Sequence, residues 1–579
     1  MHSVLVTNLN TQDKEQIDSN SIITKSTFRN PQVFSTFLIP ANIVLIEDSF
    51  FSLCTNLIKF LVEPDNQYFT SLDGILFSKK LDKLICFPPK HPFSEYTIPS
   101  SVTSIRNSAF ANCCNLTSIT IPSSITSIGD AAFSQCFQLV NISVDPNNQY
   151  FVSIDGILFT KTMDKLICFP GRHSLSKYEI PDTVTSILHS AFSYCGKVTS
   201  IIMPHTVKSI DDYAFFNCYN LESITILPSV TSIGDYAFAN CIKLESIPIS
   251  NSVTSIGASA FSDCYNLQSI TIPSNLTSIR DFTFCYCESL TSISIPTSVT
   301  SIGESAFGNC ISLESVTMST SITSIGKEAF GNCPELTSIT IPSSVTSIGD
   351  SAFVGCTNLT SFFVDPNNQH FVSIDGILFS KTVDKLICFP CNHWFSTYVI
   401  PTTVVSISNS AFSSCENLTS ITIPLSVTSI GDSVFCNCLS LESITIPSSI
   451  TSIGKEAFAN CSSLESITIP SSVASIGDSA FGWCSALEMF IVEESNQHFI
   501  SIDGILFEKQ VGKLICFPSN HPFTTYTIPP NVTSIGKSAF SHCKNLQSII
   551  IPPSVTSIGD SAFSMCMNLQ FIAIPPSVT

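Results

Sequence analysis

The sequence predicts a solenoid of stacked, mainly parallel β coils, and three observations carry that prediction. The pair Phe-x-x-Cys recurs at Phe192/Cys195 and then every 23 residues through Cys218, Cys241, Cys264, Cys287, Cys310 and Cys333 to Cys356. Counted outward it marks 17 cysteines from Cys54 to Cys566, and where the step is not 23 it is 59, four times over. Within each unit apolar residues hold fixed offsets, as in Ile121, Ile125, Ile128, Phe133, Cys136, Leu139 and Ile142. A fixed period of this size is one supersecondary unit stacked on itself, each copy burying the face that its neighbour leaves open.

In chain order, residues 1–36 are polar and do not fit the repeat, so they read as a cap or a loose tail. The array is expected from Phe37 to Thr579, as 17 repeats plus a partial last one in a single solenoid. Each unit holds Leu-x-x-Ile-x-Ile, which alternates in and out with the period of a half-buried strand. Proline after the last Ile ends that strand, having no N–H for the ladder. Val-Thr-Ser-Ile follows as a second short extended piece. Gly-Asp-Ser-Ala-Phe then reads as a turn with one helical or 3₁₀ turn, capped by Asp or Ser. Glycine opens that turn in 11 of 17 units, but Glu47, Arg106, Leu188, Asp211, Arg280 and Ser408 replace it elsewhere. The position therefore has no strict need of a positive φ. The recurring phenylalanines, such as Phe133 and Phe307, are expected to stack in the core.

The four 59-residue units carry inserts at about 63–97, 145–179, 365–399 and 493–527. All share one text, with two short apolar runs (Ile157-Leu158-Phe159 and Leu166-Ile167-Cys168-Phe169) around a polar stretch, which reads as a β-hairpin. Each insert closes on Tyr-x-Ile-Pro or its equivalent, the text of a regular strand end, so each is expected to add one rung.

The unit Leu-x-x-Ile-x-Ile-Pro-x-x-Val-x-x-Ile-Gly-x-x-Ala-Phe-x-x-Cys resembles the BspA-like class of leucine-rich repeats, over about residues 37–579. The resemblance implies a right-handed leucine-rich-repeat superhelix with a parallel sheet on its concave side and the turns on its convex side. It also implies a cell-surface protein that adheres to host or matrix proteins.

Composition narrows the partners. Charged residues are 12% of the chain, and 44 acidic against 25 basic ones leave a formal charge of −19. That balance argues against nucleic acid and against an anionic membrane surface, since both need clustered Lys and Arg. No apolar run reaches the roughly 20 residues of a membrane span. The start, MHSVLVTNLNTQDKEQ, lacks a basic-then-apolar export pattern, which keeps an intracellular interaction scaffold as the alternative reading.

Chemistry-bearing residues reduce to the repeat. The 25 cysteines read as a ladder of buried free thiols, because stacked rungs hold Cβ atoms ~4.8 Å apart, wider than a disulfide prefers. His91, His173, His393 and His521 each follow an insert cysteine by five residues, too few ligands for zinc, and read as packing and hydrogen-bonding histidines. No catalytic residue, cofactor or metal site is expected. Seven Asn-x-Ser/Thr sequons, such as Asn115 and Asn531, read either as glycan sites or as copies of the repeated Asn-Leu-Thr.

Function then falls to the surface, and a protein partner is expected. The outward strand positions are nearly all Ser and Thr, as at Ser338/Thr340. Near the end of the sequence they turn apolar at Met489 and Ile491, then Ile550, then Phe571, which with one insert rung after the first pair span four successive rungs. These four are the candidate contact patch for a host or matrix protein or a second copy. The competing reading is a shield over the last coil.

Overall fold

The computed structural model describes residues 4–7, 14–17, 22–25, 27, 30–509 and 512–578, the first two segments by backbone alone. It divides into two compact units, Met1–Leu290 and Thr291–Thr579. Both are built from the same coil, and in each the coil carries two parallel ladders, one of long strands and one of short strands.

In the first unit the long ladder is seen in Ser118–Ile121 beside Asn141–Val144, paired in register 23 residues apart. The short ladder is seen in Ser104–Ile105 beside Ser127–Ile128. Alternation sets the faces: Ile119 and Ile121 are fully buried, while Ser118 and Thr120 between them stay partly exposed. In the second unit Ser466–Ile469 and Met489–Val492 repeat the long pair, and Ser452–Ile453 with Ser475–Ile476 the short one.

The hydroxyl-rich composition has a structural use. Ser124 Oγ donates to the Val102 carbonyl one coil earlier at 2.6 Å, and Thr126 Oγ1 lies 3.2 Å from the Thr103 carbonyl. The same bonds recur at Ser472 and Thr451 in the second unit. Small hydroxyls thus satisfy backbone groups between coils where bulkier side chains would not fit.

At the turn corner the expected helical or 3₁₀ turn forms as 3₁₀ helix in one coil and as hydrogen-bonded turns in others. Among the described residues, 3₁₀ helix occurs at Pro31–Val33 and Phe50–Leu53, and no α-helix forms. The reason lies in two left-handed residues per coil, such as Tyr213 (φ 56) and Asn217 (φ 58) or Ser305 (φ 46) and Asn309 (φ 58). These turn the peptide planes so that N–H groups reach the next coil: Phe215 N–H bonds Ala237 O at 2.7 Å, and Asn217 N–H bonds Ala239 O at 2.9 Å. The recurrent glycine is there for closeness instead. A Cβ on Gly257 would stand 2.3 Å from the Asp235 backbone nitrogen. On Gly536, which follows an insert, it would meet nothing nearer than 3.0 Å. Arg106, Leu188 and Ser408 replace glycine at that same place, directly after an insert, where coils approach less tightly.

Phenylalanines stack through each core, for example Phe215–Phe238–Phe261 at centroid spacings of 4.9 and 5.4 Å and Phe330–Phe353 at 5.8 Å. Every insert interrupts this column and restarts it with its own ring, as Phe389 does on Phe412 at 5.1 Å.

Each insert is an antiparallel three-strand meander. In the second insert Phe151–Ile154 pairs Ile157–Thr160, which pairs Lys165–Cys168. The last strand then lies parallel to Ser186–Ile187, and Lys177–Glu179 lies parallel to Ser200–Ile202. An insert therefore occupies a rung on both ladders. At the turn corner it is bypassed: Ser49 Oγ meets Ser108 Oγ at 2.8 Å across the first insert, and Ser351 meets Ser410 at 2.9 Å across the third. The insert is a wedge, present at the strands and absent at the corner.

At the N-terminal side, Ile22–Ile23 already pairs in parallel with Leu45–Ile46, upstream of the expected start at Phe37. Val4–Thr7 pairs antiparallel with Lys14–Ile17. Residues 1–3, 8–13, 18–21, 26 and 28–29 of the expected cap or tail lie outside the described residues.

Candidate protein-contact surface

The long-strand face offers hydroxyls along most of its length, and its exceptions define the candidate surface. Met489 and Ile491 are 47% and 48% exposed, Ile550 54% and Phe571 59%. The chain presents them outward because each sits one residue from an inward Phe or Ile on a strand (Phe490, Ile549, Ile572). Large apolar side chains on a sheet face leave apolar surface in water that a partner can cover.

The structure joins these four less simply than even spacing suggests. Ile550 and Phe571 lie on neighbouring strands, Ser548–Ile550 and Phe571–Ala573, with Ser548 opposite Phe571. Met489 and Ile491 lie on a strand whose ladder ends there, because the turn of the fourth insert takes the next place. Phe490 N–H bonds Gly504 O at 2.8 Å, and a Cβ on Gly504 would stand 3.1 Å from Met489 Cβ. The patch is thus two apolar pairs with an Asp503–Gly504 turn set beside the first.

That turn is fixed by the insert histidine. His521 Nε2 lies 2.8 Å from Asp503 O, and its Nδ1 accepts the Phe523 N–H. His91, His173 and His393 make the same two bonds to their own inserts. One ring nitrogen faces a carbonyl and the other accepts an N–H, so each ring ties two backbone groups together. At His393, burial pushes the imidazole pKa below its ordinary value. These are the packing and hydrogen-bonding histidines that their recurrence suggests.

Two features escaped the sequence reading. The insert asparagines Asn66, Asn148, Asn368 and Asn496 are fully buried, and each is saturated. Asn368 Nδ2 donates to Pro342 O and Val345 O, and its Oδ1 accepts the His370 and Phe371 N–H groups at 2.7 and 2.8 Å. The second feature is a further apolar group at the third insert: Phe363 on the same face, Val399 at 69% exposure, and Trp394 at 66% stacked 4.0 Å from His393. Phe363 and Val399 occupy the same outward strand positions as Met489 and Ile491, so the repeat pattern marks them as well.

The thiols are mostly buried packing groups. All 25 are free, and 22 of them are buried. Most of the repeat cysteines point their S–H groups at backbone oxygens one coil back, as Cys218 does to Phe192 O at 3.0 Å and Cys438 to Phe412 O at 3.0 Å. Burial pushes the Cys54 and Cys218 thiols up to about 12. Among the described residues no group of three or more His, Cys, Asp or Glu side chains is placed to hold a metal ion. No helix there is long and apolar enough to cross a membrane.

The sequence matches the family model for a BspA type leucine rich repeat region in six copies, over residues 7–87, 81–163, 165–291, 277–394, 385–510 and 513–579. No curated protein matches. Among solved structures, a leucine rich cell surface protein from Faecalibacterium prausnitzii shares 26% identity over 84% of this chain and 94% of its own, with a TM-score of 0.41. A leucine-rich repeat protein from Bacteroides ovatus shares 26% over 74% and 97%, with a TM-score of 0.40. The pneumococcal vaccine antigen PcpA shares 21% over 74% and 91%, with a TM-score of 0.39.

Proposed function

The chain belongs to the BspA-type leucine-rich repeat family, and from that premise we propose that it is a protein-binding solenoid that works in adhesion at a cell surface. Its partner is a host or matrix protein or a second copy of itself. The reading is of a binding module rather than an enzyme, and its proposed contact patch is Met489, Ile491, Ile550 and Phe571. The observation that carries it is the exposure of these four on a face made mostly of Ser and Thr. Burying apolar area contributes roughly 25 cal/mol per Å², so a few such side chains outweigh a field of hydroxyls already content with water.

The test is a double variant, Met489→Ser with Ile491→Ser. Binding to immobilised matrix protein, and self-association by sedimentation, are measured beside thermal unfolding. Loss of association with stability held to within ~0.5 kcal/mol is expected, since surface positions rarely matter more than that to folding. Unchanged association would overturn the patch. Labelling of intact cells with a membrane-impermeant biotin reagent separates surface display from the intracellular alternative.

A further inference from the structure

The four inserts should leave four equivalent seams at the turn corner, where the coils on either side meet across 59 residues. Three are latched. At the first, Ser49 meets Ser108, while Arg106 and Asn107 both bond the Asp48 carboxylate. At the third, Ser351 meets Ser410 and Asn409 Nδ2 bonds Asp350 at 3.1 Å. At the fourth, Ser479 meets Ser538 at 3.0 Å, and Lys513 and Lys537 pair with Asp478 at 3.5 and 3.8 Å.

The second seam lacks the serine pair and the side-chain bonds to the corner aspartate, although Lys165 holds the place that Lys513 has at the fourth. Ala131 stands where the others have serine, so Ser190 finds no hydroxyl opposite. Leu188 and His189 stand where Arg106 and Asn107 do, and Asp130 makes no ion pair among the described residues. The consequence is room. At the first seam the enclosed space is about 10 Å³, whereas at the second a cleft of about 310 Å³ opens. Phe133, Phe151, Ile167 and Leu188 line it, with Asp130 and Lys165 as its charges and His189 at its edge.

The cleft shares Asp130 and His189 with an adjoining groove of about 500 Å³ that holds Asp211, Asp212, Asp235 and Arg280. Arg280 pairs with Asp235 at 3.1 Å. Burial raises the Asp211 pKa, with the carboxylates of Asp212 and Asp130 adding to the effect. Across cleft and groove four carboxylates face two basic side chains, Lys165 and Arg280, so the pair is net acidic around an apolar mouth.

We propose that this open seam is a docking site for a basic, apolar-tipped segment of a partner protein. An aliphatic or aromatic side chain enters between Phe133 and Leu188, and a flanking Lys or Arg takes the place at Asp130 that Arg106 or Lys537 fills at the closed seams. Charge complementarity selects this occupant over an acidic one and steers its approach. The inference rests on the reading of the chain as a protein-binding module and adds where one contact lies and what chemistry it takes.

The probe is a fluorescent Lys-Leu-Lys-Phe-Lys-Leu peptide on the full chain, read by anisotropy, beside Glu-Leu-Glu-Phe-Glu-Leu and a pentalysine peptide. The first is expected to bind at least tenfold tighter than either control and to weaken as salt rises. Ala131→Ser, which restores the latch, and Asp130→Asn are each expected to weaken it at least fivefold. Lys165→Gln, which removes the internal cation, should strengthen it. Thermal unfolding of Ala131→Ser checks that the coil is intact, and Asp130→Asn decides the question if that variant is unstable. Equal binding of all three peptides, or wild-type affinity in both Ala131→Ser and Asp130→Asn, overturns the proposal. The Met489→Ser/Ile491→Ser variant is expected to bind the probe normally. Its loss of association would therefore bear on the strand-face patch, and loss of probe binding in the seam variants on this one.

Discussion

Asn368 shows how much one residue can decide in a chain built by copying. Its side chain uses both amide hydrogens and the carbonyl oxygen, closing four backbone groups in a fully buried place. Deleting it leaves the Val345 carbonyl and the His370 and Phe371 N–H groups without partners, while the Pro342 carbonyl keeps only the Val345 N–H, and an unpaired buried polar group costs about 1–3 kcal/mol. Asn368→Ala is therefore expected to destabilise the third insert by at least about 2 kcal/mol. Asn368→Asp should do no better, because it sets an oxygen against the carbonyls of Pro342 and Val345. Amide exchange over residues 362–380 checks both, and wild-type protection in the alanine variant would refute the role. The sequence did not announce this anchor: in Asp-Pro-Asn-Asn-Gln the asparagines look like ordinary turn residues, and only the fold tells the buried Asn368 from the exposed Asn367.

At the scale of the element, the coil was legible and the way coils meet was not. The offsets of Ile121, Ile125, Ile128, Phe133 and Cys136 placed both strands and the stacked rings, since burial repeats with the sequence period. At the corner Gly-Asp-Ser-Ala-Phe reads as a helical or 3₁₀ turn because it resembles a capped helix start, and among the described corners a 3₁₀ helix forms at Phe50–Leu53. What decides it is the left-handed pair, such as Ser305 and Asn309, and the N–H bonds they direct to the next coil. The latches over the inserts were equally hidden, as they join residues 59 apart whose pairing depends on the insert stepping aside at the corner. Ring stacking gives the element-scale prediction. Phe238 lies between Phe215 and Phe261 at 4.9 and 5.4 Å and is fully buried. Phe238→Ala is expected to cost ~3–5 kcal/mol by removing a core aromatic. Because coils touch only their neighbours, protection should fall first over about residues 215–261. Uniform loss across the chain would contradict that locality.

Across the whole molecule the cysteines form the most extensive shared feature, and their chemistry follows from stacking rather than from any one site. A disulfide needs neighbouring Cβ atoms about 3.8 Å apart, nearer than the strand spacing of ~4.8 Å sets them. Oxidation also needs a thiolate, and burial pushes the thiols of Cys54, Cys218, Cys264 and Cys484 up to about 12, so at neutral pH the anion is present at roughly one part in 10⁵. Cys566 runs the other way: it is only partly buried, and the hydrogen bond from Cys543 holds its thiol below the ordinary value. Alkylation of the native chain near pH 7 is therefore expected to mark Cys566 first. Cys114 is partly exposed as well and is expected next, while Cys436, also partly exposed but raised to about 11, lags behind it. The buried thiols should react only after denaturation, and then without reductant the count should approach all 25. Peptide mapping of the alkylated chain measures the order. Early labelling of Cys218 or Cys264 in the folded protein would show that the coils open far more readily than their packing implies, and recovery of many disulfides would undo the argument from strand spacing.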